Sequence, residues 1–462
     1  MKTQKKLFVF AVLLMAASLV FAQTSMTSYS TQGLFGTDVD DFMNVNEWQN
    51  VQPKNIFGFL GYNTVDPEKP IADGTQKVGD GALNLGFAHQ FKPFYLGTYF
   101  EGQLSGWKHE NKTNGDTATT IGATNVHKAN GKLLFGFGNI GVMTDISYKP
   151  DSRKTTTWTE STKTKYTKDK FKLDFNLMAG MNLNLNNKLF KISAKLGLES
   201  GVDKETTKKD KKLTSFTDSS KYDLILNAGF SHDLSSKDGL THTVLADLDT
   251  KWGIWPTKRS VVVVGGTTNT DYKYGELKDI ITLTPKYQIA YEPEGKFAFK
   301  AEAALGIGFD FDNDYNYTRR NSEKKIYNIS RNYNTTLSLK PAVKTAFTYA
   351  PHQKFKLNFG LGFKVPEIGW VFTKTETRDT DGNVKKTDRG NTFTFTTKDG
   401  KFDASSGFTW LITENITLDA YWALMGDLFK DFTTKLTNSD NLWVTINKIA
   451  VHKIGFAVSA KF

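Results

Sequence analysis

The sequence predicts an all-β fold, a transmembrane antiparallel up-and-down β-barrel of about 16 strands, with 14 and 18 as the neighbouring counts. The first observation behind this is period. In the stretch FKLDFNLMAGMNLNL, Phe171, Leu173, Phe175, Leu177, Ala179, Met181, Leu183 and Leu185 alternate with Lys172, Asp174, Asn176, Asn182 and Asn184. Side chains alternate faces along a strand, so one face is oily and the other wet. The second is length. Globular strands run to about 5 or 6 residues, whereas a tilted strand crosses a bilayer in roughly 9 to 11. The third is average polarity. Mean hydropathy is −0.41 and no apolar run of about 20 residues follows residue 22, which excludes a helical membrane protein. A barrel stays compatible, because its lumen-facing residues dilute the hydrophobicity of its lipid face.

Residues 1 to 22 read as a cleaved secretory signal: Lys2, Lys5 and Lys6, an apolar run from Leu7 to Phe21, then Val20 and Ala22 before a cut at Gln23. Without any cysteine there is no lipid-acceptor thiol and no disulfide. The formal net charge of +11, three units of it in the leader, is mild for a chain of 462 residues. Residues 23 to 54 form a separate N-terminal segment, periplasmic or folded into the lumen as a plug, and 55 to 462 form the barrel.

Strand cores follow in order at 55 to 62, 83 to 91, 94 to 107, 131 to 137, 140 to 148, 171 to 185, 190 to 198 and 222 to 232. The second half supplies 240 to 252, 279 to 291, 297 to 311, 333 to 349, 355 to 365, 404 to 412, 416 to 424 and 454 to 462. Short turns fall at Pro93, Gly138-Asn139, Asn186-Asn187, Ser235-Ser236, Pro293 to Gly295, Pro351 to Gln353 and Glu414-Asn415. Between these hairpins the chain is long and polar, as at 149 to 170 and 201 to 221, which read as solvated mobile loops. Outer-membrane barrels have this asymmetry, with short periplasmic turns and long extracellular loops.

The chain ends Ile454-Gly455-Phe456-Ala457-Val458-Ser459-Ala460-Lys461-Phe462, with Ile454, Phe456 and Val458 alternating toward a terminal aromatic, Phe462. This resembles the C-terminal signature of outer-membrane β-barrel proteins of diderm bacteria, which the barrel-assembly machinery reads. Size and strand count are similar to porins or to the fatty-acid transporter group. The stretch FGTDVDDFMNVNEW resembles spirochaete outer-sheath barrels. The resemblance implies a cell outer-membrane location, with outer-membrane lipid and the assembly machinery as partners.

No chemistry-bearing constellation emerges. GFGNIG at Gly136 to Gly141 matches a dinucleotide fingerprint, but a strand rather than a helix follows, so it reads as a hairpin turn. Asp310, Asp312 and Asp314 are a weak calcium candidate lacking the glycine of an EF-hand loop. Ser231-His232 points to opposite faces of a strand. The histidines are scattered, and the reading is of a protein that is not an enzyme, with no cofactor. Aromatics belong to strand alternation rather than to a basic patch, which argues against nucleic acid.

The wet face of the strands lines the lumen. It carries Lys172, Lys191, Lys195, Lys300, Lys340, Lys344, Lys356 and Lys364, with Glu101, Asp174 and Glu302 among the carboxylates. Lysines dominate from 297 to 365. The expectation is a porin-like channel for passive diffusion of small polar solutes, mildly anion-preferring. The alternatives are a plugged barrel passing hydrophobic solutes such as fatty acids, in which Asp38, Asp40, Asp41 and Glu47 face a basic wall, or an adhesin whose loops bind host matrix.

Overall fold

The computed structural model describes residues 41–49, 56–64, 81–104, 111–115, 118–126, 128–159, 163–186, 188–209, 212–254, 257–264, 267–293, 295–320, 325–379, 383–396, 401–426 and 450–461. Its strand segments form one sheet of 21, every pairing antiparallel to the next. Five pairs of consecutive segments are single strands interrupted once, because both members run along the same neighbouring strand, in one register or shifted by one or two residues. Leu240–Gly253 and Thr257–Val264, for instance, both pair with Thr267–Tyr291, in the same register. Phe355–Lys364 and Glu367–Arg378 likewise share Lys325–His352, the break falling at Val365-Pro366, where proline has no N–H to donate to a ladder. Ala118–Val126 with Lys128–Phe137, Phe94–Leu104 with Asn111–Gly115, and Val384–Thr396 with Lys401–Thr413 complete the set. Sixteen strands result. They run as a meander, and Ile56–Thr64 pairs with Ala450–Lys461, from Phe57↔Lys461 to Asn63↔Gly455, to close the ring.

The two faces differ as the alternation requires. Phe94, Leu133, Phe135, Phe171, Phe175, Leu196, Leu305, Val343 and Leu361 are exposed on the outside of the cylinder, although all are large and apolar. Asn84, Ser147, Asp174, Asn176, Asp223, Ser338, Asn358 and Asp419, on the other parity or tucked into it, are buried. An outward apolar belt around a closed antiparallel sheet is the arrangement that lipid stabilises, since closure leaves no backbone edge unpaired in hydrocarbon. Every predicted strand core overlaps one of the sixteen strands; Asn55, residues 105 to 107, Phe462 and the leader fall outside the described residues, and Val365 sits in a strand break.

The stretches expected as mobile loops are corrected by the structure. Ile140–Thr159, Lys163–Leu185, Lys188–Lys209 and Lys212–Lys237 carry the sheet through 149 to 159, 163 to 170, 201 to 209 and 212 to 221 with regular pairing. These segments have water on both faces, so alternation is lost while strand pairing continues. Threonine favours the pleated conformation, and cross-strand charges such as Lys168 with Asp203, 3.4 Å apart, and with Glu205 add to it. The barrel therefore continues beyond its belt as a polar collar.

One turn is also corrected. The hairpin expected at Ser235-Ser236 lies at Asp238-Gly239, with φ of 52° and 79° and Lys237↔Leu240 as its last pair. Two consecutive left-handed residues make the tight turn that suits the twist of paired strands, and Asp-Gly is its favoured sequence. A Cβ on Gly239 would also stand 3.0 Å from the carbonyl oxygen of Glu292. Gly239→Val is therefore expected to cost about 2 kcal/mol or more, read as a lower urea midpoint of the refolded barrel, while Asp238→Gly leaves it nearly unchanged.

Candidate functional site: the lumen wall

The predicted wet-face residues all share the parity opposite the exposed apolar rows, and the structure brings several of them into contact. Lys172 lies 3.1 Å from Asp174 and 3.1 Å from Glu199; Lys251 lies 2.5 Å from Glu199 and 2.9 Å from Asp223; Lys221 lies 3.6 Å from Asp223. This ladder crosses four neighbouring strands. Lys286 pairs with Asp247 at 2.5 Å one strand further on. On this part of the wall, positive and negative charges neutralise one another locally.

Residues 41 to 49 pack against the same inner face at the short-turn end. Phe42, Met43, Val45 and Trp48 form one buried cluster with Phe57, Phe59, Ala88, Tyr95, Tyr99, Leu134 and Met143. The Tyr95 hydroxyl donates to the Phe42 carbonyl at 2.9 Å, the Gln49 amide donates to the Gly138 carbonyl, and Lys191 pairs with Glu47 at 2.5 Å. Glycines make the room. A Cβ on Gly136 would come within 2.7 Å of the Trp48 ring, and one on Gly180 within 2.7 Å of Val45; Gly86, Gly97 and Gly141 crowd the same segment. These contacts touch the first seven strands in ring order. The wall residues met, Tyr95, Tyr99, Leu134 and Met143, alternate with the exposed Phe94, Phe100, Leu133, Phe135 and Val142, so the segment lies on the concave side. Glu47 thus meets a wall lysine as the charge pattern anticipates, whereas Asp38 and Asp40 lie outside the described residues.

The strand diametrically opposite the middle of these seven is Lys325–His352. It and its ring neighbours carry the lysines predicted to dominate from 297 to 365. Lys300 pairs with Glu292 at 2.7 Å and Lys340 with Glu367 at 3.0 Å. Lys344, Lys356 and Lys364 have no ion pair among the described residues, and Lys364 lies directly across from Lys401, which also has none. Sequence reasoning missed Lys401, three residues ahead of the strand core at 404 to 412. Glu302, opposite Lys344 in the ladder, and Asp403 are carboxylates on the same arc. Lys195 shares its stretch of wall with Asp249, and Glu101 accepts from the Tyr99 hydroxyl at 2.9 Å.

Of the calcium candidate, the Asp314 side chain lies outside the described residues. Asp310 pairs with Lys278 at 3.3 Å, and along an extended strand its same-face neighbour Asp312 lies about 7 Å away. Among the described residues no three His, Cys, Asp or Glu side chains group as a metal site.

On the collar, Lys374 and Arg378 clamp Glu376 at 2.6 and 2.9 Å, and these hydrogen bonds hold its carboxyl well below the usual value of 4.5, at about 2. A depressed folded pKa means that the clamp contributes fully above pH 4.5 and is lost as pH falls through about 2. Lys374→Met is expected to move the Glu376 midpoint up toward 4.5 in a carboxyl-carbon NMR titration.

No protein-family model and no curated protein matches this chain. Among solved structures it is similar to the toluene transporter TbuX of Ralstonia pickettii, at 10% identity over 96% of this chain and 100% of that one, TM-score 0.36. It is also similar to the monoaromatic hydrocarbon channel CymD, at 10% identity over 96% and 98%, TM-score 0.33. The ferric yersiniabactin uptake receptor FyuA from Yersinia pestis matches at 9% identity over 89% and 76%, TM-score 0.38. Superpositions this loose carry no weight; the closed sheet and its lipid-facing belt define the class. The chain is a sixteen-stranded transmembrane β-barrel of the outer-membrane type. Its place is the cell outer membrane, and its enclosed site is the lumen.

Proposed function

We propose that the barrel is a passive channel for small polar solutes that prefers anions. The observation that carries this reading is the arc of Lys344, Lys356, Lys364 and Lys401, without an ion pair among the described residues, on the wall across from residues 41 to 49. A sixteen-stranded ring is wide enough for an aqueous path. The docked segment narrows that path from one side, so a solute passes along the lysine arc. There ammonium groups replace part of an anion's hydration, and no covalent step is needed. Glu302 and Asp403 offset part of the charge, which makes the preference mild.

A hydrophobic-solute path has less support, because the apolar patch of the inner wall is already covered by Phe42, Met43, Val45 and Trp48. Planar-bilayer conductance of the refolded chain in a potassium chloride gradient tests the reading. Stepwise conductance with an anion-directed reversal potential is expected. An electrically silent barrel, or a cation-directed potential, would overturn it.

A further inference from the structure

Outside the cylinder, at the upper edge of the belt, three adjacent strands present a graded surface. Their cross-strand rows are read directly from the ladder. Leu337, Trp370 and Phe393 make the lowest row; Thr335, Phe372 and Asn391 the next; Tyr333, Lys374 and Arg389 the third. Trp370 and Phe393 stack edge to face with ring centroids 5.4 Å apart, and both are exposed, Phe393 at 60%. In the third row the Lys374 ammonium lies 5.2 Å from the Tyr333 ring centroid, and the Arg331 guanidinium covers the same ring at 4.5 Å. Arg389 has no carboxylate partner among the described residues. Tyr333, Thr335, Phe372, Lys374, Arg389 and Asn391 line a shallow concavity of about 560 Å³.

Height decides what reaches this surface. From Tyr349, in the lower aromatic rows, to Leu337 the strand climbs roughly 30 Å at the tilt of a barrel strand. That is the thickness of the hydrocarbon core. The Leu337 row therefore meets acyl chains and the Tyr333 row meets headgroups. Among the described residues Lys374 shares Glu376 with Arg378, and Arg389 pairs with no carboxylate, so the concavity itself is lined by two cations and no anion.

We propose that this concavity binds the phosphate-bearing headgroup of an outer-leaflet lipid. Arg389 and Lys374 contact the phosphate, Asn391 and Thr335 supply hydrogen bonds to its ester or glycerol oxygens, and Trp370 and Phe393 hold the first part of an acyl chain. Apolar anchor, polar row and cationic row succeed one another in the order that a phospholipid presents tail, backbone and headgroup. The proposal rests on the membrane-spanning fold and not on the channel reading.

The test uses the refolded full chain in dodecylmaltoside micelles doped with acyl-brominated phosphatidylglycerol or acyl-brominated phosphatidylcholine. The quenching measured is the part of tryptophan fluorescence that Trp370→Phe removes. In the wild type, half-quenching is expected at a phosphatidylglycerol fraction about tenfold below that of phosphatidylcholine. Lys374→Gln/Arg389→Gln removes the difference, and Lys374→Arg/Arg389→Lys restores most of it. Heat-modified gel migration verifies that each variant is folded.

Equal quenching by the two lipids, or a preference that survives the double glutamine variant, would overturn the proposal. Displacement of phosphatidylglycerol by 10 mM inorganic phosphate, a concentration chosen on the order of weak headgroup affinities, would assign the site to a free anion instead. A cross-linked pair of chains lost in the glutamine variant, without lipid preference, would assign the face to a second copy of the chain.

Discussion

Lys344→Glu, Lys356→Glu and Lys364→Glu together are expected to turn an anion-directed reversal potential into a cation-directed one. The three stand on two neighbouring strands at the parity opposite the exposed apolar rows, and none is ion-paired among the described residues, so reversal breaks no ion pair there. Two unit charges 10 Å apart in water interact by about 0.4 kcal/mol. Three reversals change the wall by six units, which amounts to roughly 2.5 kcal/mol for an ion near the arc, falling to about 1 kcal/mol after screening at 0.1 M salt. An anion loses and a cation gains that amount, so the ratio of anion to cation permeability changes by about 2 kcal/mol, roughly thirtyfold, large enough to cross unity when the starting preference is mild. The same three reversals on the ladder side, at Lys172, Lys221 and Lys251, would instead leave Glu199 and Asp223 facing like charges, and a loss of barrel stability is the expected result there. An unchanged reversal potential in the first variant would remove those lysines from the conduction path.

Deleting residues 41 to 49 is expected to raise single-channel conductance about twofold, because the segment lines seven of the sixteen strands and its removal widens the path at the short-turn end. Phe42→Ala with Trp48→Ala tests the same point without shortening the chain. Phe42 is fully buried and Trp48 is 6% exposed, and each truncation costs about 3 to 5 kcal/mol of packing. Polar anchors include the Lys191–Glu47 pair, the Tyr95 and Gln49 hydrogen bonds, and one from Asn182 to the Asn46 carbonyl. The double variant therefore undocks it, with flickering or raised conductance. Gly136→Leu, which places a side chain where the Trp48 ring lies, should reproduce that phenotype from the wall side. Conductance identical to the wild type in all three variants would show that the segment does not limit the path.

The sixteen strands were legible because each membrane-crossing stretch has lipid on one side and water on the other, a contrast that writes itself into alternate residues. Above the belt the contrast ends. Lys163 to Lys170 and Lys204 to Lys209 therefore look like solvated loop by charge, and only their threonines hint at strand. The turn at Asp238-Gly239 was present in the sequence as a favoured dipeptide, but the adjacent serines, also turn formers, drew the reading three residues early. The lumen face followed directly from parity, since Lys344 and Phe347 must point oppositely. Which of its lysines are paired did not follow, because Glu367 reaches Lys340, and Glu292 reaches Lys300, from other segments. The socket for residues 42 to 48 was equally hidden: Gly86, Gly97, Gly136, Gly141 and Gly180 come from five strands, and no local pattern ties them to a segment outside the barrel sequence.

The seam between Ile56–Thr64 and Ala450–Lys461 bears on how the molecule is made. Hydrogen bonds there join residues nearly 400 positions apart, the largest sequence separation in the ring. Until the final strand arrives, both ends of a growing sheet expose a full row of backbone donors and acceptors, which hydrocarbon cannot satisfy. Stepwise insertion of one hairpin after another would therefore climb in free energy. Membrane crossing and ring closure have to occur in concert, at the slow rate set by the most distant contact. A chain truncated before Ala450 should accumulate as an unclosed sheet outside the bilayer, sensitive to protease, rather than as a smaller barrel within it.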